Sequence, residues 1–460
     1  MKLNQLPELQ RREFLRRASA LGVAGAAAPW ALNLAVMGEA AAQSAASDYK
    51  ALVCVFLNGG NDYGNTLIPF DAASHAEYAT IRQTLATPRD ALAATALAGS
   101  IGGRQMALAP QMPRLKALWD AGRLGVQLNV GTLVQPTTLA QYKAKSVPLP
   151  PKLFSHNDQQ SLWQASTPEG ATSGWGGRVG DLFLSGNNPS TFTCMNVAGN
   201  AVFMSGKQAV QYQVSTAGAV PINGVTRSLF GSAACSTALR SLITADRTHW
   251  MEAELNRVVK RSVDAQAVLG TALANQAALG TVFDTTASLS NQLLMVARLI
   301  AARQALGAKR QVFFVALGGF DLHDLLLSKQ PLLLKQIDDA MASFYAATVE
   351  LGVADQVTTF TASDFGRTLT SNGDGSDHGW GSHHFVMGGA VKGGRYYGAL
   401  PSVSVNGPDD VGQGRLLPTT SVDQLAATLA TWMGVSATDL PLVLPQIGNY
   451  TQKDLGYFAA

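Results

Sequence analysis

Residues 311–324, Gln311-Val312-Phe313-Phe314-Val315-Ala316-Leu317 running into Gly318-Gly319-Phe320-Asp321-Leu322-His323-Asp324, decide the fold class. The run 311–317 is almost continuously apolar and does not alternate with polar residues. A strand of that kind is buried on both faces, as in a parallel sheet. Gly318 and Gly319 end it, Pro331 to Leu351 has the three- and four-residue apolar spacing of an amphipathic helix, and Val357 to Thr361 is again a short apolar run. Strand, helix and strand in that order form a βαβ crossover, which predicts an α/β protein with parallel strands.

Working outward, Ala51 to Leu57 is a second doubly buried strand that stops at Asn58-Gly59-Gly60-Asn61-Asp62. Leu124 to Val130 and Phe192 to Val197 are further strands, and Ala201 to Phe230 reads as short strands and turns. Helical patterns cover Asp246 to Leu279 and Leu289 to Leu306. No repeat or linker divides the chain, so 43–460 is expected to be one domain with a helical insertion at about 246–306. At 47% hydrophobic and 14% charged, its 460 residues suit a large globular core.

The amino terminus is a targeting segment. Gln10-Arg11-Arg12-Glu13-Phe14-Leu15-Arg16-Arg17 precedes an uncharged stretch, Ala18 to Gly38, and then the small residues Ala40-Ala41-Ala42. Residues 1–42 resemble a twin-arginine export signal, which implies the twin-arginine translocation machinery as a partner and a periplasmic or extracellular destination. The stretch is long enough to span a membrane but is rich in Ala and Gly and broken by Pro29, so no stable span is expected after cleavage. It holds five basic and three acidic residues, and without it the formal net charge of +3 falls to +1. That balance excludes a general nucleic-acid binder. Cys194 and Cys235 are open to pairing in an oxidising compartment, whereas Cys54 lies in a core strand.

Chemistry gathers after the strands. Asp321 and His323, two apart in an extended segment, point to one side and can converge on one ion. Asp364 follows the strand that ends at Thr361, and a glycine-rich loop then brings Asp377, His378, His383 and His384. Asp62 follows the first strand, either as a ligand or as the cap of the next turn. These acids and imidazoles predict a metal site at the carboxyl edge of the sheet, holding one or two divalent ions among zinc, manganese, calcium and magnesium. Ser155, in Ser155-His156-Asn157-Asp158-Gln159-Gln160, sits where loop becomes helix. Its hydroxyl is either an N-cap or a nucleophile at the positive end of the helix dipole. Arg367 is either a salt-bridge partner or, like Lys392, a holder of an anionic group.

Taken in order, LNGGND, SHNDQQSLW, GGFDLH, SDFGRT, DHGWG and GGAVKGG resemble the bacterial family known as domain of unknown function 1501, over about Tyr49 to Pro401. That family resembles the alkaline phosphatase and sulfatase superfamily. The resemblance implies a three-layer α/β/α sandwich with a mostly parallel central sheet, metal ions at its carboxyl edge, and hydrolysis of small phosphate or sulfate esters. By the same resemblance, Asp321 and His323 match one metal pair and Asp364 part of a second, with Phe365 standing where a histidine is expected. His378 is then the compensating imidazole, and His383 or His384 the last ligand. The segment Met112-Pro113-Arg114-Leu115 through Gly122 is similar to the helix before the nucleophile loop and points to Ser155. None of Cys54, Cys194, Cys235 or Ser155 has the C-x-P-x-R surroundings of a formylglycine sulfatase. Phe365 and Asn58 favour an alternative, an exported binding or assembly protein on the same scaffold with at most a structural metal.

Overall fold

A computed structural model describes residues 49–459; residues 1–42, expected to be an export signal, lie outside the described residues. The central sheet has ten strands: β1 Lys50–Leu57, β2 Leu124–Gly131, β3 Cys194–Asn196, β4 Tyr212–Ser215, β5 Gly218–Ala219, β6 Arg310–Leu317, β7 Val357–Ser363, β8 Ser382–Gly388, β9 Arg395–Tyr397 and β10 Thr420–Ser421. Their order is β9-β2-β8-β7-β1-β6-β3-β4-β5, with β10 also on β2. Only β8 and β5 run against the rest, so the sheet is mostly parallel.

Helices cover both faces. The ones used below are α1 Pro113–Asp120, α2 His156–Ala165, α3 Trp175–Phe183, α4 Ala233–Thr244, α5 Trp250–Ala274, α6 Ser288–Ala301, α7 Leu326–Glu350 and α8 Val422–Met433. Strand β1 shows how one run of sequence builds two cores. Ala51, Val53, Val55 and Leu57 face a layer with α1, α5, α6 and α7, whereas Leu52, Cys54 and Phe56 face α2, α3 and α8. Side chains alternate across a strand, so a centrally placed strand must be apolar at every position. The result is the expected three-layer α/β/α sandwich.

Three departures from the sequence expectations are local. The βαβ helix begins at Leu326 rather than at Pro331, because Asp374 accepts the backbone N–H groups of Leu325 and Leu326 and starts the helix earlier. Helix α4 occupies a stretch, between 230 and 246, to which the sequence reading assigned no element, and none of its residues is buried. Cys54, Cys194 and Cys235 are all free thiols, the first two buried and the third exposed. Among the described residues no helix is long and apolar enough to cross a membrane.

Register sets the level of the site. Leu57 pairs with Leu317 on one side and with Ser363 on the other, so the loops after β1, β6 and β7 leave the sheet side by side. Strand β8 is antiparallel to β7, so the segment just before it arrives at the same edge. Gly59 and Gly60 turn the chain there with φ of +114° and +84°. A Cβ on Gly59 would lie 2.3 Å from the Asp321 backbone nitrogen, and one on Gly60 would lie 2.6 Å from the Phe365 ring. Only glycine fits either place.

Candidate metal centre

Four segments meet at this edge: the loop after β6 with Asp321 and His323, the end of β7 with Asp364, the loop before β8 with Asp377 and His378, and the first residue of α2, His156. One ligand atom each from His156, Asp321 and His378 lies within 4.8 Å of the others. The Nε2 of His378 is 3.1 Å from that of His156 and 2.9 Å from that of His323. Asp321 completes the group, with Oδ2 3.4 Å from His156 Nε2 and Oδ1 3.1 Å from His323 Nε2. The imidazoles of His156 and His378 are part-buried, whereas His323 and Asp321 are each 45% exposed, so the cluster opens to solvent.

The Nδ1 atoms explain why the Nε2 atoms matter. His156 Nδ1 faces Asp364 Oδ2 at 2.6 Å, His378 Nδ1 faces the Phe154 carbonyl at 2.7 Å, and His323 Nδ1 faces Asp377 Oδ1 at 3.2 Å. A carbonyl or carboxylate oxygen only accepts, so each Nδ1 carries a proton, and a ring with that one proton turns a bare Nε2 lone pair inward. Three lone pairs and a carboxylate then meet without a donor hydrogen between the rings. Such a set repels itself unless a proton on one ring or a cation sits among it, and nitrogen donors with one carboxylate suit zinc or a similar divalent ion. The residues present therefore fit one ion.

Electrostatics follow the same geometry. The hydrogen bond to Asp364 raises the pKa of His156 against the opposing effect of partial burial. Burial lowers that of His378. Partial burial alone would raise the Asp321 carboxyl, but the Arg367 guanidinium, with His156 and His323, holds it below the usual carboxylate range. Asp377 is likewise held low by Asn372 and His323 despite its partial burial.

Not every predicted ligand joins the cluster. Asp364 and Asp377 reach it only through His156 and His323, whose rings they fix. Asp364 Oδ2 also accepts from Gly59 N–H and from Gln160 Nε2, while its buried Oδ1 has no partner. Asp62 caps the turn after β1 and forms a 2.9 Å ion pair with buried Arg82, and Ser376 donates to the same carboxylate. That carboxylate is committed to the packing beneath the loops and is not a ligand. His383 accepts the Asn129 N–H at Nδ1, and His384 meets Thr361 Oγ1 at Nδ1 while its ring packs edge-on against Trp163. Both rings lie in the interior, where burial lowers their pKa to about 4 and about 3. They leave the site because β8 carries them down into the sheet.

Arg367 and Ser155 also need correction. Arg367 is fully buried; it pairs with Asp321 Oδ1 at 2.7 Å, donates to the Gly59 carbonyl at 3.1 Å, and donates to the Ser376 carbonyl. It props Asp321 from below and is shut off from any substrate. Lys392 lies beyond the far end of β8, at the opposite edge of the sheet. Ser155 is the first residue before α2, between Phe154 and His156, which both touch the cluster, but no backbone N–H caps onto its hydroxyl, which donates to Asp158 Oδ2 at 2.9 Å.

Two residues went unassigned from sequence. His156 was visible beside Ser155, but nothing in its spacing linked it to histidines more than 160 residues away. Arg415 gave no signal at all. Its Nε donates to the His378 carbonyl at 2.6 Å and its guanidinium lies over the Phe154 ring at 5.1 Å, so it flanks the cluster from a distant loop. Phe365, in the place where a histidine was expected, floors the centre, with its ring 4.8 Å from His156 and 4.7 Å from His378 between centroids.

Fold and site together define a three-layer α/β protein with a histidine and carboxylate centre at the carboxyl edge of a mostly parallel sheet. The chain belongs to the family described as protein of unknown function (DUF1501), whose model matches residues 49–443. No curated protein matches it in sequence. Among solved structures it overlaps the PsFucS1 sulfatase from Pseudoalteromonas sp. at 8% identity and a TM-score of 0.36, covering 89% of this chain and 72% of that one. The lipoteichoic acid synthase LtaP from Listeria monocytogenes gives 8% and 0.34, covering 90% and 81%. A variant of the alkaline phosphatase PafA gives 10% and 0.25, covering 70% and 64%. Superpositions this loose carry no argument about what the chain does.

Proposed function

We propose that this protein is a metal-dependent hydrolase of a small phosphate or sulfate ester, exported through the twin-arginine pathway and active outside the cytoplasm. The observation that carries the proposal is the convergence of His156, His378 and Asp321, whose ligand atoms lie within 4.8 Å of one another, with His323 Nε2 2.9 Å from that of His378. His156, His378 and Asp321 would hold a divalent ion, with His323 Nε2 beside His378 and Asp321, and the ion when bound supplies Lewis acidity toward an ester oxygen. Asp364 keeps His156 in the tautomer that turns Nε2 toward the ion. Arg415 supplies positive charge beside His378 and Asp377, the role Arg367 was expected to fill. Ser155 stands at the rim with its hydroxyl held by a carboxylate, which is the position of a nucleophile awaiting a substrate. Export rests on the twin-arginine pattern at Gln10 to Arg17 and the small residues at Ala40 to Ala42.

A second reading, a structural metal centre without turnover, is favoured by the sequestration of Arg367. The two separate in one experiment, in which the metal-loaded chain is assayed on a phosphomonoester, a phosphodiester and a sulfate ester. The hydrolase proposal expects turnover on at least one class, abolished by His378→Ala. Stoichiometric metal with no turnover on any class rejects it in favour of the second reading.

A further inference from the structure

Helix α5 carries a pattern that the metal centre does not use. Met251, Leu255, Val258, Ser262, Ala265, Leu269 and Ala272 recur at alternating four- and three-residue spacing, the seam of a coiled coil with one polar position. Its carboxyl-terminal half, Ala265, Leu269 and Ala272, is buried against the body of the protein. Its amino-terminal half is bare, with Met251 59%, Leu255 62% and Val258 40% exposed. Helix α4 does not cover this half. It meets α5 at Asn256, which donates to the Leu242 and Ala245 carbonyls, and at Asp264, which pairs with Arg240. At 100° per residue, Asn256 and Asp264 point away from the seam. Since α4 buries no residue of its own, it and the amino-terminal half of α5 stand off the body with an apolar stripe uncovered.

We propose that a second copy of this chain covers the stripe, by antiparallel pairing of two α5 helices about a two-fold axis near Leu255 and Val258. Charge selects this occupant. Glu254 and Arg261 lie one heptad apart on the same flank of the seam. When Leu255 faces Val258 of the partner subunit in an antiparallel pair, Glu254 falls opposite Arg261 of the partner subunit, and the axis repeats the pair. Parallel pairing instead sets Glu254 beside Val259 and Arg261 beside Gln266, with no charge matched. The antiparallel register also brings Met251 of the partner subunit over Ser262. There α5 borders a cavity of about 450 Å³ lined by Val210, Tyr212, Val220 and Ile222. The exposed end of one helix thus meets the hollow beside the other, whose lining mixes Val210, Val220 and Ile222 with Gln211, Gln213 and Arg261. The surface is independent of the metal centre and of the hydrolase reading.

The test is the mass of the purified chain in solution, by light scattering and sedimentation equilibrium across a concentration series. A dimer is expected. Leu255→Glu should give a monomer with an unchanged circular dichroism spectrum, since the residue is exposed. Glu254→Arg and Arg261→Glu should each raise the dissociation constant several-fold, and the double reversal should restore it, which a merely structural effect on the helix would not do. A wild-type chain that stays monomeric at every concentration overturns the proposal. So does a dimer that neither Leu255→Glu nor the charge reversals weaken.

Discussion

Asp364 Oδ2 lies 2.6 Å from His156 Nδ1, joining a carboxylate at the end of β7 to an imidazole 208 residues earlier, at the start of α2. The contact fixes which nitrogen of His156 faces the centre. Carboxylates that orient a ligating imidazole typically set metal affinity within 10–100-fold, without touching the ion. Asp364→Asn should therefore lower metal affinity by about 10–100-fold while the chain stays folded, as measured by competitive metal titration and thermal melting. A complete loss of metal would instead make Asp364 a direct ligand.

Asp62 gives the converse test. Its carboxylate neutralises Arg82, which has no exposure to solvent. Removing one partner of a buried pair leaves an uncompensated charge and costs about 3–5 kcal/mol. Asp62→Ala should lower the melting temperature sharply, yet the fraction that remains folded at low temperature should hold its full complement of metal. Loss of metal in proportion to a single ligand, with stability intact, would restore Asp62 to the site.

The broad architecture was legible in the sequence because doubly buried strands leave continuous apolar runs. Ala51 to Leu57 and Gln311 to Leu317 could be read as central strands with nothing else in hand. The edge at which chemistry gathers was legible for the same reason, since Asp321, His323, Asp364 and His378 all follow strand ends. What was not legible is which atom faces which. Asp364 and His156 are adjacent only because α2 docks across the end of β7, and no local periodicity encodes that docking. His383 and His384 misled because a histidine pair before an apolar run looks the same whether the strand carries it toward the edge or, as β8 does, away from it. Arg367 misled because a guanidinium beside a metal pair looks the same whether it faces substrate or supports Asp321 from behind.

On the proposed function, Arg415 takes the place of Arg367 as the cation that would meet substrate. A hydrogen bond to a charged group contributes about 1.5–3 kcal/mol, so Arg415→Met should reduce kcat/KM for an anionic ester by about 10–100-fold. Metal content should not change, because Arg415 meets His378 at its backbone carbonyl and not at its ring. Steady-state kinetics beside elemental analysis reads both. Equal rates in variant and wild type would remove Arg415 from the substrate side.

His384 predicts a pH effect on stability. It is buried, and burial depresses its pKa to about 3 in the folded chain, against about 6.5 when unfolded. The folded state keeps the ring neutral, so its stabilising contribution is complete above about pH 6.5 and is lost as the pH falls toward about 3. Asp338 and Asp423, each raised to about 6 by burial, act in the opposite sense over part of that range, which makes a difference measurement necessary. The stability of the wild type minus that of His384→Leu should be flat above about pH 6.5 and should fall by at most about 1.4 kcal/mol per pH unit below it. Chemical denaturation from pH 5 to 8 reads the slope, and a flat difference throughout would contradict a buried neutral ring.

The central claim is that three imidazoles and Asp321 form one metal centre. The direct measurement is the metal content of the purified chain after equilibration with zinc and with manganese, by elemental analysis, for the wild type, His156→Ala and His378→Ala. One divalent ion per chain is expected in the wild type and almost none in either variant, with the folded spectrum retained in all three. A metal-free wild type, or a content that neither substitution lowers, would contradict it.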